Sequence, residues 1–133
     1  MYRLRMLLTL LFAAVALLAP ASARDYDAYV VEVYDGDTIT VDLDLGFGIW
    51  LRDQKIRLFG INAPEVRGES RERGLVVRDW VREQILGEAI QLVTIGNDKK
   101  GKYGRWLGIV LYGADNCNLG TQMLEKDMAV RYE

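Results

Sequence analysis

A small α+β fold, a five-stranded β-barrel with flanking helices, follows from three features of the chain. Five short runs carry strand chemistry, one amphipathic helical stretch separates the third run from the fourth, and a second short helical stretch follows the fifth. All of them fit between Tyr29 and Glu133, a length that suits one core and not two. Other α+β arrangements share this pattern, but mostly antiparallel runs with a single long helical connection favour a closed barrel of the OB type.

The first two strands form a hairpin. Residues 29–34 and 38–45 flank Asp35-Gly36-Asp37, and the second run alternates Ile39, Val41, Leu43 and Leu45 with Thr38, Thr40, Asp42 and Asp44. The apolar set is expected in the core and the polar set in water. Gly46-Phe47-Gly48 breaks the alternation, and residues 49–59 resume it as a third strand with Arg57 turned away from the apolar face. Pro64 has no N–H to give a ladder and biases Ala63 toward an extended shape, so this strand ends near Asn62.

Residues 69–86 then set Val76, Val77, Trp80, Val81 and Ile85 on one helical stripe, and Gly87 is a natural stop. A fourth strand covers residues 89–95, a basic loop residues 96–102, and a fifth strand residues 106–112. Asn118 can cap a short helix whose Leu119, Met123 and Leu124 face inward.

The N-terminus reads as an address. Arg3 and Arg5 precede an apolar run from Met6 to Leu18, which ends in Ala21-Ser22-Ala23. That run is well short of the roughly 20 residues a membrane-crossing helix needs, so cleavage after Ala23 is expected over a permanent anchor. The expected product is a domain of residues 24–133, exported to the periplasm or secreted, a monomer by default and without stable membrane association.

Those residues carry 15 basic and 19 acidic side chains, a balance of −4 against −2 for the whole chain. This sign excludes coating of nucleic acid by bulk charge. Cys117 is the single cysteine and there is no histidine, so no internal disulfide can form, and the commonest general base and zinc ligand are both missing. Catalysis in such a chain has to run on carboxylates, arginine, tyrosine, lysine or a hard metal ion.

Three stretches hold candidates. Asp35 and Asp37, two apart across a glycine, can lean toward one cation, and an oxygen-only set suits calcium or magnesium; as an Asp-Gly turn, the same residues need no ion. Arg57 offers a planar fork for phosphate oxygens and Glu65 a carboxylate beyond the proline, although a solvated barrel surface and a helix-start acid explain each alone. Lys102, Tyr103 and Arg105 sit in a basic loop able to follow a phosphate backbone and stack a base, or merely to stay soluble.

Three blocks in order, Val33-Tyr34-Asp35-Gly36-Asp37-Thr38, Ile56-Arg57-Leu58-Phe59-Gly60-Ile61-Asn62-Ala63-Pro64-Glu65 and Lys102-Tyr103-Gly104-Arg105, make residues 24–133 resemble the staphylococcal-nuclease-like (thermonuclease) family. The resemblance implies an OB-fold nuclease that hydrolyses DNA and RNA phosphodiesters with a Ca2+ ion. It implies Asp37 as a direct metal ligand, Asp35 as a supporting carboxylate and the Ala63 carbonyl as part of the metal shell. Arg57 and Arg105 correspond to the arginines that clamp the scissile phosphate, and Glu65 to the carboxylate that activates or orients water. Lys102, Tyr103 and Tyr132 correspond to nucleotide contacts.

The sequence departs from the family at Asn62, where a metal-ligating aspartate is expected. An asparagine keeps the oxygen and loses a charge, which implies weaker calcium binding. Asp127 stands where a glycine often ends the last helix, so a left-handed backbone is expected there. Two rivals remain beside the nuclease: a catalytically weakened OB-fold module that binds nucleic acid, and a secreted calcium-binding interaction module.

Overall fold

The computed structural model describes residues 24–97 and 104–132. The expected leader, residues 1–23, and the part of the basic loop holding Lys102 and Tyr103 lie outside the described residues. In chain order the elements are β1 (Arg24–Val33), β2 (Thr38–Asp44), β3 (Trp50–Leu58), β4 (Ile61–Asn62), α1 (Arg71–Ile85), β5 (Ala89–Asn97), β6 (Trp106–Tyr112), β7 (Cys117–Asn118), α2 (Leu119–Glu125) and β8 (Val130–Arg131).

The expected barrel is present. Strands β3, β2, β1, β5 and β6 neighbour one another in that order, and β3 pairs with β6 in parallel from Ile56 opposite Trp106 to Leu58 opposite Gly108, which closes the ring. Closure depends on Gly108, where a Cβ would stand 2.7 Å from Leu92 Cδ1 and 3.2 Å from Ile56 Cγ2. The helices seal the barrel with apolar side chains: Val77, Val81 and Ile85 of α1 and Leu119 and Met123 of α2 join Val30, Ile39, Val41, Ile56 and Leu92 in one buried cluster. Each side chain of this size contributes roughly 1.5–3 kcal/mol on burial, so apolar packing carries the stability a disulfide would otherwise supply.

Several boundaries differ from the sequence reading, each for a tertiary reason. Strand β1 begins at Arg24 because it pairs on both sides, with β2 as far as Asp27 opposite Asp44 and with β5 from Arg24 opposite Thr94. Leu45 lies exposed beyond the barrel, whereas Thr38 and Asp42, expected in water, are buried. Asp42 sits under β3, where the Asp53 N–H and the Arg52 guanidinium hold its carboxyl below the usual carboxylate range. Helix α1 starts two residues late, after a 3-10 turn at Gly68–Ser70. Its buried line is Gly74, Val77, Val81 and Ile85, which leaves Val76 61% exposed.

Two features concern the chain's end. Asp127 adopts the expected left-handed backbone, with φ 55°, after α2. Strand β8, absent from the sequence reading, pairs Arg131 with Ile61 and Val130 with Asn62, and the Tyr132 N–H donates to the Gly60 carbonyl at 3.0 Å. The polypeptide therefore returns to the strand end that carries the candidate site.

Gly74 shows how α1 constrains that site. A Cβ at this position would lie 2.1 Å from the Glu65 carbonyl oxygen and 2.5 Å from its carbon, and backbone has little room to yield. Helix propensity alone makes Gly74→Ala stabilising by up to about 1 kcal/mol. The contact reverses the sign: the substitution is expected to cost roughly 1–3 kcal/mol in a urea titration.

Candidate active site

The loop between β1 and β2 is built around carboxylates turned inward. The Tyr34 N–H donates to the Thr38 carbonyl at 3.0 Å and closes the turn, while Asp35 Oδ1 accepts the Asp37 N–H at 3.0 Å. Gly36 has no need here of a left-handed backbone; it is required because a Cβ would stand 2.6 Å from Val77 Cγ1 and 2.7 Å from Ala63 Cβ. The Asp-Gly pair is thus more than turn chemistry. It lets Val77 of α1 and the Ala63 methyl press the loop from both sides.

Asp37 is the junction. It is buried, and its Oδ2 accepts the Ala63 N–H at 2.8 Å and lies 3.4 Å from Arg57 Nη1. Its Oδ1 accepts the Thr38 hydroxyl at 3.2 Å, and its carbonyl accepts the Leu58 N–H at 2.8 Å. One residue therefore ties the β1–β2 loop to the end of β3 and to the turn after β4.

Arg57 is anchored as firmly. Its Nη1 donates to the Leu58 carbonyl at 3.1 Å and the Ile61 carbonyl at 2.9 Å, and Nη2 donates to Asn62 Oδ1 at 3.2 Å. Its guanidinium carbon lies 5.7 Å from the Tyr132 ring centre, a cation–π distance that β8 makes possible. Three of five N–H groups are engaged in these bonds, so among the described residues the fork keeps donors for an anion while its orientation is set by backbone.

A cleft of about 1270 Å³ opens at this end of the barrel, and Asp35, Asp37, Arg57, Asn62, Glu65 and Arg105 all line it, as does Tyr132. Arg105 enters from the segment just before β6, with its Nε shielded from solvent. Glu65 is exposed in the turn that precedes α1, and its carbonyl accepts the Ser70 hydroxyl at 3.0 Å while Gly74 packs beneath it. Ala63 is buried beside Asp37. Of the sequence candidates, only Lys102 and Tyr103 lie outside the described residues.

Ser70 and Gly74 position Glu65 without being among the sequence candidates. The sequence signal for Gly74 was present, since glycine inside a helical stretch is a flaw unless another backbone comes close. Nothing in the sequence distinguished Ser70.

The donor set can be compared with what a cation needs. Among the described residues there is no group of three or more acidic, cysteine or histidine side chains placed to hold a metal. Two buried carboxylates are adjacent, however, and burial first and the Asp37 charge second push the Asp35 carboxyl up to about 7. A divalent ion that keeps several waters fits such a pair, with Asn62 lining the same cleft.

The shift also has a stability consequence. Asp35 titrates near 3.8 when unfolded and near 7 when folded, so the native state binds this proton more tightly. Stability is lost as the pH rises between those values, and the loss is complete above the upper one. Asp35→Asn, which keeps the Oδ1 acceptor for the Asp37 N–H, is therefore expected to raise the melting temperature by a few degrees at about pH 8 in chelator. At about pH 3.5 the two proteins should melt together, as thermal scans across pH would read directly.

A family model described as staphylococcal nuclease homologue matches residues 55–133, the part of the chain that holds Arg57, Asn62, Glu65 and Arg105; Asp35 and Asp37 precede it. A protein of Escherichia coli O157:H7 named as an uncharacterized endonuclease is 32% identical over 114 residues, covering 86% of this chain and 66% of that protein. One of the same name from Haemophilus influenzae is 30% identical over 129 residues, 97% of this chain and 65% of its own length. The chain spans about two thirds of the length of the curated relatives it matches. With the matched stretch running from within β3 to β8, the chain belongs to the staphylococcal nuclease homologue family.

Proposed function

We propose that this protein is an exported, metal-dependent nuclease that hydrolyses phosphodiester bonds of DNA, RNA or both, acting as a monomer with Ca2+. The observation that carries the reading is the convergence on one cleft of a buried carboxylate pair, two arginines and an exposed glutamate. A family whose matched relatives are named endonucleases supports the reaction class.

The roles follow from position. Asp37 and Asp35 would hold the ion with the Asn62 amide oxygen and the Ala63 carbonyl, and the bound ion would supply Lewis-acid polarisation of a phosphoryl oxygen. Arg57, its fork preset by the Leu58 and Ile61 carbonyls, receives one phosphate oxygen, and Arg105 faces the same space across the cleft. Their guanidinium groups oppose the negative charge that grows as water attacks. Glu65, exposed in a turn braced by Ser70 and Gly74, takes the proton from that water. Lys102, Tyr103 and Tyr132 would line the path of the nucleotide.

One observation favours the weakened, nucleic-acid-binding alternative. Asn62 Oδ1 is already occupied by Arg57 Nη2, so this oxygen orients an arginine as well as facing the ion site.

The test is digestion of single-stranded DNA, duplex DNA and RNA in calcium, in magnesium and in chelator. Glu65→Gln is expected to lower kcat by about 10²–10⁴ with the fold intact by circular dichroism. Cleavage by the wild type that persists undiminished in chelator would refute metal dependence. Asn62→Asp restores a negative oxygen and should lower the calcium concentration at half-maximal rate by about tenfold; an unchanged requirement would assign this position to Arg57 alone.

A further inference from the structure

The end of the barrel opposite the cleft carries an apolar surface that the nuclease reading does not use. Strands β2 and β3 continue past the barrel as a hairpin whose Leu45, Phe47, Ile49, Trp50 and Leu51 are all exposed. Phe47 is fully exposed at the apex, between two glycines. The tip is well formed: the Leu45 N–H donates to the Ile49 carbonyl and the Ile49 N–H to the Gly46 carbonyl, each at 2.9 Å.

Phe47 also adopts φ 55°, a left-handed conformation that bulky side chains rarely take. No packing within the fold repays that strain, and strain held at an exposed apolar apex points to a use outside the fold. Strand addition is a poor candidate for that use, because the outer edge of β3 is blunted. Its register shifts between Val41 and Leu43, Asp53 turns to φ 56° with its N–H on Asp42 Oδ1, and Arg52 is paired with the same carboxylate.

Register shows what lies at this end. Asp27 of β1 is opposite Asp44, next to the tip, while Val33 is opposite Ile39 at the cleft end, so β1 enters the barrel from the side of the hairpin tip. Immediately before Arg24 stand the 23 residues with the apolar run from Met6 to Leu18. A run of that composition takes the chain to a membrane, and while it is attached the Arg24 end is the end of the domain that adjoins the bilayer. Along β2 the cleft lining reaches Thr40, four residues or roughly 13 Å from Asp44, toward the other end of the strand.

We infer that the Phe47 hairpin tip inserts reversibly into the surface of a lipid bilayer, holding the domain with its cleft turned toward the aqueous phase. The contact narrows the expectation of no stable membrane association to one of no permanent anchor. Trp50, with the Arg52 guanidinium 5.2 Å from its ring centre, has the amphipathic chemistry of the bilayer interface. Among the described residues, β1 and the β2–β3 hairpin bring Asp25, Asp27, Asp44 and Asp53 to this end against Arg24 and an Arg52 already paired with Asp42, so anionic headgroups are not the attraction. Apolar insertion is, and it requires no anionic lipid.

Co-sedimentation with neutral phosphatidylcholine vesicles tests this. Residues 24–133 are suitable because the core of the described residues runs from Ala28 to Ala129, and they exclude the leader as a source of binding. The variant is Phe47→Asn, since asparagine tolerates the left-handed backbone and the Phe47 ring supports nothing in the fold. Expected are sedimentation that survives high salt, a Trp fluorescence blue shift on vesicle addition, and a partition coefficient lower by about tenfold or more in the variant. Equal partition of both proteins, no partition of the wild type, or binding confined to anionic vesicles and lost in salt would each overturn the inference. Vesicle-independent dimers that Phe47→Asn dissolves in size exclusion would overturn it too, by making the tip a contact between copies of this chain.

Discussion

The Asp37 carboxylate is the constraint on which the cleft depends. It is buried, a position that disfavours charge, and it is stabilised by converging donors: the Ala63 N–H, the Thr38 hydroxyl and the nearby Arg57 guanidinium. Two of those partners, Ala63 and Arg57, lie 26 and 20 positions further along the chain, so the three segments have to be assembled before the charge is tolerable. The apolar barrel supplies the assembly. Burial of side chains such as Val33, Ile39 and Ile56 beneath the site holds the loop, the strand end and the turn in register.

Two glycines and a serine translate core packing into the placement of functional groups. Gly36 allows the carboxylate loop to sit against Val77 of α1, and Gly74 allows the same helix to rest on the backbone of Glu65. Ser70 ties the start of that helix to the Glu65 carbonyl. One helix thus positions both the carboxylates that would face a cation and the glutamate that would face water. Rigid support of this kind suits groups that must be held within a fraction of an ångström of the reacting atoms.

The molecule is polar at one end and apolar at the other. Acids and arginines gather at the cleft, where β1 leaves for β2 and β3 ends; aromatic and aliphatic side chains gather where β2 turns back into β3. Both ends belong to the same hairpin, so the long β2–β3 ladder fixes their separation. The proposed nuclease cleft and the proposed membrane-inserting tip would then not obstruct each other, because the ladder that joins them also keeps them apart.

Much of this was legible in the chain. Alternation along residues 38–45, the Pro64 stop, the helical stripe and the Asn118 cap led to the barrel and its helices, because periodicity and capping are local properties. The three motif blocks pointed to the residues that line one cleft. What the sequence could not express was every feature made by two distant backbones meeting. The addition of β8 beside β4, which brings Tyr132 over Arg57, depends on a return of the chain that no local signal marks. Burial of Asp42 and exposure of Leu45 contradict a correct alternation because the barrel ends where β2 does not. Asn62 reads as a ligand by position and is bonded to Arg57 in the fold, and Gly74 reads as a helix flaw until the Glu65 carbonyl lies against it. Residue type and spacing determined which chemistry this protein holds, and only the closed barrel decided which atoms touch, since contact across the chain is set by packing that spacing does not contain.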